Sequence, residues 1–225
     1  MPALSRAILV VTFGIATACA DKDAHGESTS TKDLKLGVKK WKILERESGP
    51  VDYYAVVVDA EGAYLRAHYK PPTETAVLGY MLEDDDRSRV RSLKWRWRVH
   101  NLPPGGDECV DGKGDSAAGV FLVWKRGLRV YTLKYVWSTV GKKGDICSKK
   151  RSATVAREKI TLETGGPLKT WVNEELDLKA EFRKHFEDGN PNADVPDFMG
   201  VGIMTDGDQT NTEVVADYAD FVLTR

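Results

Sequence analysis

Cysteine is scarce in this chain of 225 residues, with three in all, and histidine is almost as rare, with four. Neither sign of charge dominates: 33 lysines and arginines stand against 34 aspartates and glutamates. Without a basic excess nothing tracks a phosphate backbone, and no aromatic-plus-basic RNA-binding module is present, so nucleic acid is excluded as a general partner. His25, His68, His100 and His185 are scattered, and no H-E-x-x-H pair exists to hold a catalytic zinc. Gly114-Asp115-Ser116-Ala117-Ala118-Gly119 has the wrong spacing for a nucleophile elbow, and Gly141-Lys142-Lys143-Gly144 lacks the frame of a phosphate loop. No internal repeat is visible, nor a second domain.

What is present begins with an unusual N-terminus. Arg6, the apolar run Ala7 to Ile15 and the small residues Ala16-Thr17-Ala18-Cys19-Ala20 have the layout of a secretory signal over residues 1–20. The run is too short to cross a bilayer as a helix. Two processing readings fit. Ala18-Cys19-Ala20 matches an A-x-A site, with cleavage after Ala20. Ala16-Thr17-Ala18-Cys19 resembles a lipoprotein box, which would make Cys19 a lipidated, membrane-anchored first residue. The polar stretch over residues 21–36 then serves as a tether, and a single domain is expected over residues 37–225. Either way the expected location is outside the cytoplasm, in a bacterial periplasm or lipid-anchored in the cell envelope.

The two remaining cysteines, Cys109 and Cys147, flank a hairpin with strands near Ala118–Trp124 and Leu128–Ser138 and a turn centred on Arg126-Gly127. Counting the ladder outward brings Cys109 opposite about position 144, a few loop residues from Cys147, so a disulfide is expected in an oxidising compartment. A zinc pair would need further Cys or His partners. Other strand candidates follow at short intervals: 53–58, 64–69, 76–82, 93–99, 153–162, 200–204 and 217–223. Pro71-Pro72, Asp84-Asp85-Asp86, Pro103-Pro104-Gly105-Gly106 and Gly165-Gly166-Pro167 punctuate them as turns. One helix stands out, capped by Asp177, with Leu178, Phe182 and Phe186 forming an apolar stripe and Gly189 and Pro191 ending it. The pattern predicts an all-β fold with one or two short helices, built as an antiparallel β-sandwich.

Five motifs then occur in order: Trp95-Arg96-Trp97-Arg98-Val99, the Leu-Pro-Pro loop after it, Gly114-Asp115, Tyr135-Val136-Trp137-Ser138, and Ile203-Met204-Thr205-Asp206-Gly207-Asp208-Gln209-Thr210. From Val38 to the C-terminus the chain resembles the bacterial domain of unknown function 3047 family. That resemblance implies an exported jelly-roll layout, similar to galactose-binding and carbohydrate-binding modules, and it implies no activity. The chain departs from the family pattern after Asp115, where Ser116-Ala117-Ala118-Gly119 follows and no arginine does.

Candidate site residues are each readable in two ways. Trp95 and Trp97 share one strand face, while Lys94, Arg96 and Arg98 share the other. The plain reading is indoles in the core and a cationic row in solvent. The sharper one puts Arg96, Arg98 and, register permitting, Lys134 on a concave sheet face, clasping the carboxylate of an acidic saccharide. Trp124 and Trp137 lie near strand ends, where a partly exposed ring would stack on a sugar, with Asp115 alongside to fix hydroxyls. The loop 206–213 reads first as an Asx-rich turn; if it holds a cation, Asp206 and Asp208 supply hard oxygen ligands to a structural Ca²⁺. Asp217 and Asp220 read as a solvated strand face. No other cofactor and no catalytic residue is expected, and nothing specifies an oligomeric state. The leading expectation is a non-catalytic carbohydrate-binding β-sandwich. The alternatives are an envelope polysaccharide hydrolase or lyase using Asp115, Asp206 and Asp208, and a structural or protein-interaction lipoprotein.

Overall fold

The alternation of Leu93-Lys94-Trp95-Arg96-Trp97-Arg98-Val99 sets both indoles on one side of a strand. In the computed structural model that side faces the interior between two β-sheets. Residues 33–44 and 52–225 are described by the structure. The signal over 1–20, Cys19 and the first part of the tether lie outside the described residues. In chain order the elements are β1 (Leu34–Lys35), β2 (Lys42–Ile43), β3 (Tyr54–Asp59), β4 (Gly62–Tyr69), β5 (Leu78–Met81), α1 (Asp84–Arg87), β6 (Ser92–Val99), β7 (Ala118–Arg126), β8 (Arg129–Ser138), β9 (Ile146–Arg151), β10 (Val155–Thr164), β11 (Val172–Asp177), α2 (Leu178–Phe186), β12 (Asp197–Met204) and β13 (Val214–Thr224). Residues 34–36, expected in the tether, join the fold instead: Leu34 and Lys35 pair with Leu223 and Val222, and Leu36 is buried.

One sheet has the order β11-β6-β13-β4-β3, with β1 added along the end of β13. The other runs β2-β5-β12-β7-β8-β10-β9. The result is a β-sandwich of the jelly-roll kind. It is not antiparallel throughout, as the sequence pattern suggested. After β8 the chain returns along β9, makes a tight hairpin, and slots β10 between the two, so β10 lies parallel to β8 and antiparallel to β9. Strands β9 and β11 escaped the sequence reading. Both are edge strands rich in charge, and edge strands need no apolar stripe. The aspartate run 84–86, read as a turn, forms the short helix α1.

Four tryptophans anchor the interior: Trp95, Trp97, Trp124 and Trp137 are all essentially inaccessible. Trp97 of one sheet meets Trp137 of the other with ring centroids 5.6 Å apart, so the two motifs of the sequence pack on each other across the layers. Truncating such a residue to alanine costs about 3–5 kcal/mol. Helix α2 seals one end, with Phe182 packed on Trp124 at 5.6 Å and on Tyr131 at 5.0 Å. Its first turn is capped as expected: the Asp177 carboxylate accepts hydrogen bonds from the Lys179 and Ala180 amides at 2.9 and 2.8 Å.

The β7–β8 hairpin turns one residue later than the sequence suggested. Arg126 pairs with Arg129, so the loop is Gly127-Leu128, and Gly127 takes the positive φ of 58° that glycine tolerates. At the open end of this hairpin Cys109 and Cys147 form the expected disulfide, with Cα atoms 4.3 Å apart.

Candidate functional site

The arginine row lies on the outer face of the β11-β6-β13-β4-β3 sheet and is already satisfied. Asp217, expected in solvent, is fully buried there. It accepts a bidentate pair from Arg66 at 2.7 and 3.0 Å, one bond from Arg98 at 2.7 Å, and sits 2.8 Å from His100. Burial alone would raise the Asp217 carboxyl, but the donors Arg66, His100 and Arg98 hold it below the ordinary carboxylate range. Arg98 also pairs with Glu61 at 2.8 Å, Arg96 with Asp220 at 2.6 Å, and Lys94 with Glu175 at 3.2 Å. The indole of Trp171 covers both guanidinium groups, 4.4 Å from that of Arg96 and 4.3 Å from that of Arg98. A row paired and roofed in this way holds the sheet together and offers little to a ligand.

Lys134 does not join Arg96 and Arg98. It stands on the outer face of the other sheet, opposite Phe121 of β7 and beside Lys159 of β10 in register. Trp124 and Trp137 are also corrected as stacking platforms. Both rings are in the core, and the Trp137 indole nitrogen donates to the Gly165 carbonyl at 2.8 Å.

The outer face of the β2-β5-β12-β7-β8-β10-β9 sheet carries a groove of about 700 Å³. Its apolar part includes Leu44, Met81, Phe121, Val123 and Val155, and its glycines Gly200 and Gly202 leave the backbone bare. Gly200 is required there: a Cβ at that position would lie 2.2 Å from the Tyr80 carbonyl oxygen of the neighbouring strand. Lys134, Arg157 and Lys159 line the groove as well. None of the three has an acidic partner within 4.0 Å among the described residues. The contrast with the other outer face is sharp, because there every arginine of the row has an acidic partner. Burial pushes the Lys134 ammonium below its ordinary value against the pull of Asp206, and the neighbouring Lys159 adds to the fall.

At the Lys134 end of the groove two loops meet. Gly114 donates to the Gln209 side chain, and the Asp206 amide donates to the Ser116 carbonyl at 3.1 Å. Asp115, wholly buried, accepts the Gln209 and Thr210 amides at 3.3 and 2.6 Å. Asp115 therefore caps the 206–212 loop from outside, a role the sequence reading gave to the loop's own side chains. Burial works to raise Asp115, but hydrogen bonds from Thr210 and Gln209 hold its carboxyl low. The neighbouring Asp206 behaves oppositely: burial, resisted by Lys134 and reinforced by the charges of Asp208 and Asp115, pushes it up to about 7. Carboxylate oxygens of Asp115, Asp206 and Asp208 lie within 4.8 Å of one another.

The sequence reading missed Arg157, Lys159 and the glycine-lined groove. An alternation signal was present in Val155-Ala156-Arg157-Glu158-Lys159, but only the parallel insertion of β10 beside β8 places Lys159 next to Lys134.

Residues 39–222 match the family model described as protein of unknown function DUF3047. Comparison with curated proteins gives no match. Among solved structures, the chain is similar to the family 11 carbohydrate-binding module of the cellulosomal cellulase Lic26A-Cel5E of Clostridium thermocellum. That match has 12% identity and a TM-score of 0.45, over 87% of this chain and 95% of that one. It is also similar to endoglucanase cel12A from Rhodothermus marinus, with 10% identity and a TM-score of 0.43, over 86% and 96% of the two chains. The xyloglucanase domain of NopAA, a type three effector from Sinorhizobium fredii, gives 9% identity and a TM-score of 0.42, over 85% and 97%.

Proposed function

For a member of the DUF3047 family, to which this chain belongs, we propose a non-catalytic binding role: the protein holds an acidic saccharide in the groove on the outer face of its seven-stranded sheet. The observation that carries the reading is the set of three cations, Lys134, Arg157 and Lys159, with no acidic partner within 4.0 Å among the described residues, beside an apolar floor. Sugar rings present apolar C–H faces to such a floor, and a ring carboxylate supplies the cations with a pairing partner. Cleavage of a glycosidic bond would need two carboxyls facing the substrate. Asp115 is sealed in and occupied by amides, and Asp206 is only 7% exposed, which leaves Asp208 alone at the surface. Export from the cytoplasm belongs to this proposal, supported by the signal-like residues 1–20 and by the Cys109–Cys147 disulfide.

The test is calorimetric titration with oligouronides and with neutral oligosaccharides of equal length. Oligouronides should bind, more weakly as salt rises, and neutral sugars should not. Replacing Lys134 or Lys159 with methionine should weaken binding by about tenfold or more, since a charge-assisted hydrogen bond contributes about 1.5–3 kcal/mol. Equal binding of neutral and acidic sugars, or none of either, would overturn the reading.

A further inference from the structure

Among the described residues the groove's three cations have no acidic contact partner, and the loop junction beside them has the reverse imbalance. Asp115 comes from the loop before β7, and Asp206 and Asp208 from the loop after β12. Two of the three are buried, and the third is exposed. No lysine, arginine or histidine nitrogen lies within 4.0 Å of any of the three carboxylates among the described residues. Lys134 is near enough for its charge to be felt by Asp206, but it makes no contact pair. Clustered carboxylates without a contact cation are costly in a buried setting, far more so than the same groups in water.

A second observation points the same way. Asp206 is more than nine-tenths buried, and its Oδ1 has no hydrogen-bond partner among the described residues. The carboxylates of Asp115 and Asp208 stand beside it, so Asp206 carries its unpartnered oxygen within the acidic cluster. A buried carboxylate oxygen with no donor is rare in a folded protein, and an ion is one of the few things that satisfies it.

We propose that Asp115, Asp206 and Asp208 form a calcium site that clamps the 206–212 loop to the loop before β7. The donor set is wholly of hard oxygen, which excludes the soft and imidazole-seeking metals. Three protein carboxylates favour calcium over magnesium, which keeps several of its waters and is usually held by only one or two carboxylates. The two loops are already joined by the Asp115 carboxylate and the Gly114–Gln209 bond, so the ligands are held in place before the ion arrives. This inference stands apart from the saccharide reading, and neither depends on the other.

The experiment uses chelator-treated protein titrated with calcium chloride, followed by calorimetry and by the melting temperature. One calcium per chain is expected, with a melting temperature that climbs as calcium rises, because an ion that binds only the native state stabilises it. Terbium offers a site-specific readout. The Tyr69 ring packs against Gly207, with a Cβ at that glycine 3.0 Å from the Tyr69 ring edge, so tyrosine excitation should sensitise a bound terbium ion, and calcium should displace it. Asp208→Asn, at an exposed position, should fold normally and bind calcium at least about tenfold more weakly, since ligand charge sets affinity in such sites. Asp206→Asn should lose the terbium signal. Absence of heat and of a melting shift at millimolar calcium would overturn the proposal. So would full affinity in Asp208→Asn, or a response to magnesium equal to that to calcium.

Discussion

Asp217→Asn isolates the ion cluster on the outer face of the β11-β6-β13-β4-β3 sheet. The substitution keeps the side chain's shape and one acceptor oxygen while removing the charge that the guanidinium groups of Arg66 and Arg98 surround. Asp217 is fully buried, whereas the side chains of Arg98 and Arg66 are 12% and 33% exposed. Removing one member of a buried ion pair costs about 3–5 kcal/mol. Arg66 can turn its freed charge to water, which sets the expectation at the lower end, about 3 kcal/mol. For a domain of this size each kcal/mol moves the melting temperature by about 2–4 °C, so a fall of roughly 6–12 °C is expected at pH 7. The pH dependence follows from the sign of the shift. The folded-state pKa of Asp217 is depressed, so its contribution is present above the unfolded value near 3.9 and is lost as pH falls through the folded value. Urea unfolding of both proteins at pH 7 and pH 3, followed by tryptophan fluorescence, should show a gap that is smaller at pH 3 than at pH 7. A cost under about 1 kcal/mol at pH 7, or a gap undiminished in acid, would refute the view that this carboxylate organises the arginine row.

Two further outcomes are expected. Replacing Cys109 and Cys147 together by serine opens a loop spanning 38 positions and should cost about 4 kcal/mol by chain entropy; an unchanged urea midpoint would contradict this. Burial and the charge of Glu163 push the Glu174 carboxyl up to about 7, against the hydrogen bond from the Trp97 indole. The folded state thus holds this proton more tightly than the unfolded one. The stability it confers is complete below the unfolded value near 4.3 and declines as pH climbs to about 7. Glu174→Gln keeps the acceptor for Trp97 and should be more stable than the natural protein at pH 8 and equal to it at pH 4, with an unchanged difference between the two pH values counting against the argument.

Much of the sandwich was legible because its causes are local. Trp95 and Trp97 share a face through strand geometry alone, and Asp177 caps α2 through residues two and three positions onward. The same locality explains the errors. Asp217 alternates with apolar neighbours in a way that matches a solvated strand, and nothing nearby in the sequence announces that Arg66 and Arg98, more than a hundred positions away, will bury it. The aromatic character of Trp124 and Trp137 was visible, but not the Phe182 helix face and the facing sheet that enclose them. The hairpin register slipped by one because Arg126 and Leu128 both suit a turn edge, and the choice fell to how Gly127 uses its positive φ.

By itself the sequence determined the alternating faces, the helix with its cap and the disulfide, since strand and helix periods, capping and loop closure act between neighbours or across one hairpin. Only the tertiary structure decided which faces are covered, that Lys134 lies on a different sheet from Arg96 and Arg98, and that Asp115 meets Asp206 and Asp208. The physical reason is that a strand's pattern fixes which side chains point together. Strand order and layer packing, which bring distant segments into contact, depend on the whole chain's burial of apolar surface and leave no short-range mark.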